Sequence, residues 1–178
     1  MTLPGKLDWM PALDHAELLA APVFGALSTF DRADEVFVAA IDPDLADTAA
    51  VCERYDVDLE VSANCVVVAG KREGDERIAG CVVLATTRAD VNGAVRRWLD
   101  VRKASFLAVS EVVERTAMEY GGITPVGLPR EWPRLVDAAV VSAGTVVIGS
   151  GIRGSKLALP AAALTGLPGA EVLEALAR

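Results

Sequence analysis

"NCVVVAGKREGDERIAGCVVLATT", residues 64–87, is the stretch on which the fold class turns. "NCVVVAG" (64–70) and "RIAGCVVLATT" (77–87) are β-branched runs, and "KREGDE" (71–76) between them has the composition of a turn. Two such runs joined by a short glycine-containing connection read as an antiparallel hairpin. Outward from it, "EVFVAAI" (35–41) alternates in part and reads as a strand, as do "TVVIGSG" (145–151) and "KLALP" (156–160). Helical patterns lie between. "DPDLADTAAVCERYDV" (42–57) opens on acidic residues and carries apolar Ala49, Ala50, Val51 and Tyr55. "ADVNGAVRRWLDV" (89–101) places Val91, Ala94, Val95, Trp98 and Leu99 on one face, which makes Trp98 a core residue. "SEVVERTAMEYGG" (110–122) offers Ser110 as N-cap and Gly121 as the C-terminal glycine. "AEVLEALA" (170–177) reads as a closing helix, and the acidic stretch around His15 also reads as helical. Adjacent strands with interspersed helices, and no strict strand–helix–strand alternation, define an α+β domain with a mixed, largely antiparallel sheet.

The 178 residues suit one domain, and 52% apolar with 24% charged residues is the composition of a folded globular chain. "AAVVSAGTVVIGSGI" is too short and too glycine-rich to span a bilayer, and "MTLPGKLDWMPALDHAELL" lacks the pattern of a secretory signal, so a cytoplasmic location and no membrane partner are expected. Cys52, Cys65 and Cys81 form no CxxC pair and sit in apolar surroundings, the pattern of buried, reduced thiols. The net charge of −8 argues against a protein that coats nucleic acid, and no DNA partner is expected. The charge is uneven: residues 1–60 hold 3 basic and 13 acidic side chains, whereas residues 61–178 hold 14 and 12. Arg96, Arg97, Arg102 and Lys103 fall in the densest basic segment, which is either a phosphate-contacting face or a solvated helix face.

Reactive side chains are scarce. His15 is the single histidine, so no two-histidine metal site exists, and a surface or capping role is the expectation; no metal and no cofactor are expected. "GSGIRG" (149–154) fits G-x-G-x-x-G, but the strand-like "LALP" follows where a phosphate-binding loop needs a helix, and Ser155 precedes Lys156 instead of following it. These glycines with Arg153 and Lys156 read better as a ligand-facing turn. "MEYGGITPVGLP" (118–129) concentrates backbone freedom at Gly121, Gly122 and Gly127 and rigidity at Pro125 and Pro129, with Thr124 pushed toward extended geometry by Pro125. Such a loop either binds a carbonyl or carboxylate oxygen through backbone N–H groups or is a helix end followed by a tight turn.

"EYGGITPVGLP", "RLVDAAV" and "VVIGSGIRGSKLALP" together resemble the YbaK/ProX family, the aminoacyl-tRNA deacylases related to the editing domain inserted in bacterial prolyl-tRNA synthetase. The resemblance extends over about residues 35–175, so residues 35–178 read as an editing-like domain and residues 1–34 as an N-terminal extension packed on it. It implies a barrel-like sheet with surrounding helices and a pocket for an amino acid esterified to tRNA. It further implies that loop backbone groups hold the substrate, and that water acts with help from the tRNA ribose hydroxyl. The substrate-binding residues it implies are Gly121, Gly122, Ile123, Thr124, Pro125, Gly127, Asp137, Gly149, Ser150 and Gly151. The family's lysine falls at Ala63 or Asn64, and neither is lysine. Lys71, Lys156 or an arginine would have to replace that charge. The expected function is a free-standing aminoacyl-tRNA editing hydrolase. The alternative is a catalytically degenerate module binding an aminoacyl or small amino-acid-like ligand.

Overall fold

The computed structural model describes residues 2–178. The hairpin at its centre pairs β3 (Ala63–Arg72) with β4 (Asp75–Leu84) in unbroken antiparallel register from Ala63↔Leu84 to Arg72↔Asp75. Its two turn residues, Glu73 and Gly74, both have positive φ (55° and 96°), the geometry whose twist matches that of the flanking strands. Seven further strands, β1 (Met10–Pro11), β2 (Phe37–Ala40), β5 (Ala104–Phe106), β6 (Arg134–Asp137), β7 (Thr145–Gly149), β8 (Ser155–Pro160) and β9 (Ala170–Leu173), complete two sheets. One has the order β1-β2-β8-β7 and the other β5-β3-β4-β6-β9. Only β4–β6 and β6–β9 are parallel, so the sheet is mixed and largely antiparallel. The sheets meet at a Ser62↔Val147 bridge and do not close into one barrel.

The main core lies between the sheets. Val38, Val146, Ile148, Leu157 and Leu159 from one face Ala63, Val67, Ile78, Val82 and Val136 from the other. Ala79, Cys81, Val83 and Leu135 point to the opposite face and are covered by Val95, Leu99, Val101 and Leu176. Burial on both faces explains why "IAGCVV" reads as a continuous apolar run. Cys52 and Cys81 are buried and Cys65 half-buried, all three unpaired. Burial pushes the Cys81 thiol up to about 12, which keeps it protonated and inert.

Among the helices, α1 (Ala21–Leu27) buries Val23 and Leu27, and α2 (Thr48–Tyr55) is capped by Asp47, whose carboxylate accepts from Ala49 N–H at 3.0 Å. Residues 91–95 wind as a wide π-type turn capped by Asp90 and run into α3 (Arg96–Trp98). Trp98 is half-buried rather than core, and its indole N–H donates to Glu171 at 2.9 Å. α4 (Val109–Thr116) starts after Ala108, not at Ser110, and ends on Ala117 in the left-handed region (φ 53°), four residues before Gly121. Around His15 the chain makes two 3₁₀ turns, and His15 faces Glu17 at 3.0 Å on the surface. α5 (Ala138–Val141) follows β6 directly.

"AEVLEALA" is not a helix. Residues 170–173 pair with β6 as β9, and Leu176 then turns into the second cluster, fully buried. A helix of eight residues is marginal in water, whereas the open edge of β6 offers ladder bonds to this segment.

β6 also supplies the largest of the fully buried side chains among the described residues. Arg134 is 2% exposed, and its guanidinium donates to the carbonyls of Trp132 (2.7 Å), Pro129 (3.1 Å), Pro125 (3.3 Å) and Leu128. These are the carbonyls of the 125–132 loop, which has few ladder partners of its own. Arg134→Met removes this donor from all four, only Pro129 O keeping the Trp132 N–H, and should cost about 3 kcal/mol in equilibrium denaturation. Arg134→Lys, lacking the planar fork, should recover less than half of that loss.

Candidate functional site

A cavity of about 530 Å³ opens where the start of β3 meets the segment leading into α2, α4, the Tyr120–Ile123 loop and the ends of β7 and β8. Its wall is mostly apolar, with Val51, Ala63, Val67, Val112, Val147 and Ile148 among the lining residues. Asp44, Asp47, Arg153 and Lys156 bring two charges of each sign.

The loop and the glycine turn are pressed together backbone to backbone. Gly151 N–H donates to Gly122 O at 2.8 Å, and Glu119 N–H donates to Gly151 O at 2.8 Å. A Cβ on Gly122 would lie 2.5 Å from Ile152 O, and one on Gly149 would lie 2.3 Å from Gly122 O. Glycine is required at both because no side chain fits between the two strands of backbone. α1 seals the same contact from the other side: Ala20 N–H donates to Ser150 O, and a Cβ on Gly127 would strike Pro22 O at 2.5 Å.

Lys156, on β8, is the buried cation of the cavity. It is 7% exposed, and its ammonium donates to Ala46 O at 3.0 Å and Gly121 O at 3.3 Å. Burial pulls its pKa below the ordinary lysine value of 10.5, and the nearby Asp47 carboxylate works in the opposite direction. Arg153 braces the loop from outside: its guanidinium donates to Tyr120 O (3.0 Å) and Pro43 O (3.1 Å), and its backbone N–H donates to the Glu119 carboxylate at 2.7 Å.

Of the residues implied by sequence, Ala63, Asn64, Gly121, Ile123 and Gly149 line the cavity. Asn64 accepts from the Thr48 hydroxyl at 2.7 Å. Gly122, Thr124, Pro125, Gly127, Ser150 and Gly151 stand behind the wall. Thr124 is fully buried with its hydroxyl unpaired among the described residues. Ser150 is bonded to Ser155, hydroxyl to hydroxyl, at 2.7 Å. Asp137 does not reach the cavity wall; its two oxygens accept from Ala139 N–H (2.9 Å) and Ala177 N–H (2.8 Å), tying α5 to the C-terminal segment. Arg96, Arg97, Arg102 and Lys103 lie outside the lining, and Lys71 faces Glu76 across the hairpin. The sequence offered Lys156 at a ligand-facing turn, and as one of several cations able to replace the missing lysine, without singling it out. Its period-2 place on β8, opposite Ala39 and Gly149, is what turns it inward.

Residues 42–167 match the family model described as "Aminoacyl-tRNA editing domain", and the chain belongs to that family. No curated protein matches it. Among solved structures, a candidate trans-editing enzyme for prolyl tRNA synthetase superposes with a TM-score of 0.73 at 21% identity, covering 86% of this chain and 94% of that one. The hypothetical protein APE2540 superposes with 0.69 at 20% identity, covering 79% and 90%. Both likenesses are of fold. Among the described residues no helix is long and apolar enough to cross a membrane.

Gly149→Ala should therefore lower the melting temperature by roughly 3–9 °C, the effect of about 1–3 kcal/mol of overpacking in a chain of this size. Gly25→Ala, on the exposed face of α1 with nothing within 4 Å of its Cβ, should leave it unchanged or raise it.

Proposed function

We propose that the chain is a free-standing editing hydrolase that removes a mischarged amino acid from tRNA in trans. The observation that carries this reading is a largely apolar cavity that combines the backbone of Gly121 and Ile123 with the buried Lys156 ammonium. The amino-acid side chain lies against Val51, Val67, Val112 and Ile148. Water attacks the ester carbonyl carbon, the bond to the ribose oxygen breaks, and the amino acid leaves as a carboxylate while the ribose hydroxyl regains its proton. Lys156 replaces the charge absent at Ala63 and Asn64, holding negative charge as it develops on the carbonyl oxygen together with loop N–H groups. A pocket that admits a wrong amino acid and hydrolyses its ester acts as the second sieve where side-chain discrimination at charging is weak.

Arg102 and Lys103 lead directly into β5, whose far end brings Phe106 to the cavity, about 10 Å away along an extended strand. This proximity supports assigning the basic segment to tRNA phosphates. Asp137 serves the site indirectly, by anchoring the element after β6.

Single-turnover deacylation of a panel of mischarged tRNAs, including Ala- and Ser-charged tRNAPro, tests the reading. At least one ester should be cleaved tenfold or more above its spontaneous rate, and Lys156→Met should reduce that rate by at least tenfold. If every ester survives while an aminoacyl analogue binds, the chain is a binding module. Asn64→Lys then shows whether the charge alone was missing.

Lys156 also gives opposite pH signs for binding and stability. Its pKa is lower folded than unfolded, so the unfolded chain holds its proton longer and stability rises with pH up to about 10.5. Between pH 7 and 10, wild type should gain stability relative to Lys156→Met in denaturant titrations. Over the same range its affinity for a non-hydrolysable aminoacyl analogue should fall.

A further inference from the structure

Tyr120, Phe106 and Val109 are 63%, 60% and 52% exposed, and all three line the cavity. The other exposed large apolar side chains among the described residues, Leu13, Leu59 and Val172, are less exposed at 38–42%, and none of them lines it. Three of the six exposed large apolar side chains among the described residues, and the three most exposed, are therefore gathered at one mouth. That distribution marks a contact site, since large exposed hydrophobic side chains are ordinarily scattered singly.

The Tyr120 ring is held in a defined pose. The Arg153 guanidinium lies 5.7 Å from its centroid and is itself fixed by bonds to Tyr120 O and Pro43 O. Gly121 permits this arrangement, because a Cβ there would stand 2.9 Å from the Arg153 guanidinium. One face of the ring carries a cation, which a π face attracts. The residue is still mostly exposed, so the other face is open. A rigid aromatic face beside a cavity is a platform for a planar, apolar partner of similar size.

The cavity volume points to the same ligand. At about 530 Å³ it falls within the range of roughly 300–1,000 Å³ that holds drug-sized ligands, more room than a single amino acid occupies. An amino acid joined to a nucleoside fits that size, with a planar base for the mouth and an acyl group for the apolar interior.

We infer that Tyr120, braced by Arg153, stacks on the terminal nucleobase of the aminoacylated RNA, with Phe106 and Val109 completing the apolar rim. This rests on the editing reading and adds a positioning residue to it. The stack fixes the ribose, and through the ribose the ester, above Lys156. Stacking tolerates any base, because every base has a π face.

The test compares two non-hydrolysable probes by calorimetry: an aminoacyl amide of 3′-amino-3′-deoxyadenosine, and the same amide on a ribose lacking the base. In the wild-type chain the base should add at least tenfold in affinity. Tyr120→Ala should weaken the base-containing probe by about 5- to 150-fold, the range for losing one base–aromatic stack, and leave the base-less probe unchanged. Tyr120→Phe and Tyr120→Trp should retain wild-type affinity. Thermal melts of all three variants should match wild type, since the side chain is exposed. Equal binding of the two probes, or equal weakening of both by Tyr120→Ala, overturns the stacking assignment and leaves the editing reading standing. Failure of both probes to bind, together with no ester hydrolysis, overturns both.

Discussion

The site depends on one close approach, that of the loop after α4 to the turn between β7 and β8. At their closest the two segments meet main chain to main chain, with Gly122 O accepting from Gly151 N–H at 2.8 Å and no space for a Cβ at Gly122 or Gly149. Two regions more than twenty residues apart in sequence are thereby fused into one rigid wall. Arg134 secures the loop on its other flank by satisfying four of its carbonyls from below, where water is excluded. A buried guanidinium is costly unless its donors are used, and here the loop carbonyls use them.

From that contact the chemistry follows by position. β8 begins immediately after the turn, so its second residue, Lys156, enters the cavity beside Gly121 and Ala46. β3 reaches the same cavity with Ala63 and Asn64, which carry no charge. The cation is delivered from a different strand, and its burial makes it a weaker proton holder than a surface lysine. The aromatic rim arises from the same loop: Gly121 lets Arg153 lie close against it, and Arg153 in turn holds Tyr120.

Local pattern made much of this readable in the sequence. The hairpin of β3 and β4, the strands at residues 37–40, 145–149 and 155–160, and the helix of residues 48–55 follow from β-branched runs, turn residues and an acidic cap. The special character of the glycine loop was legible because glycine and proline act through their own backbone. What escaped was decided by tertiary pairing. "AEVLEALA" has a helical composition, but the edge of β6 made it a strand. Arg134 carries no local mark that distinguishes a buried clasp from a surface charge. Asp137 sits within a motif of the expected type, yet both its oxygens are spent on backbone N–H groups. The inward direction of Lys156 required the register of β8 against β2 and β7, which no window of the sequence contains.

In the proposed function, a backbone wall and the Lys156 ammonium together hold an aminoacyl carbonyl. The most direct measurement is a crystal structure of the chain with a non-hydrolysable aminoacyl-adenosine analogue. The carbonyl oxygen should lie within hydrogen-bonding distance of Lys156 Nζ or the N–H groups of the Gly121–Thr124 loop, with the amino-acid side chain against Val67 and Ile148. An analogue bound elsewhere, or one in this cavity with its carbonyl turned away from both, would contradict it.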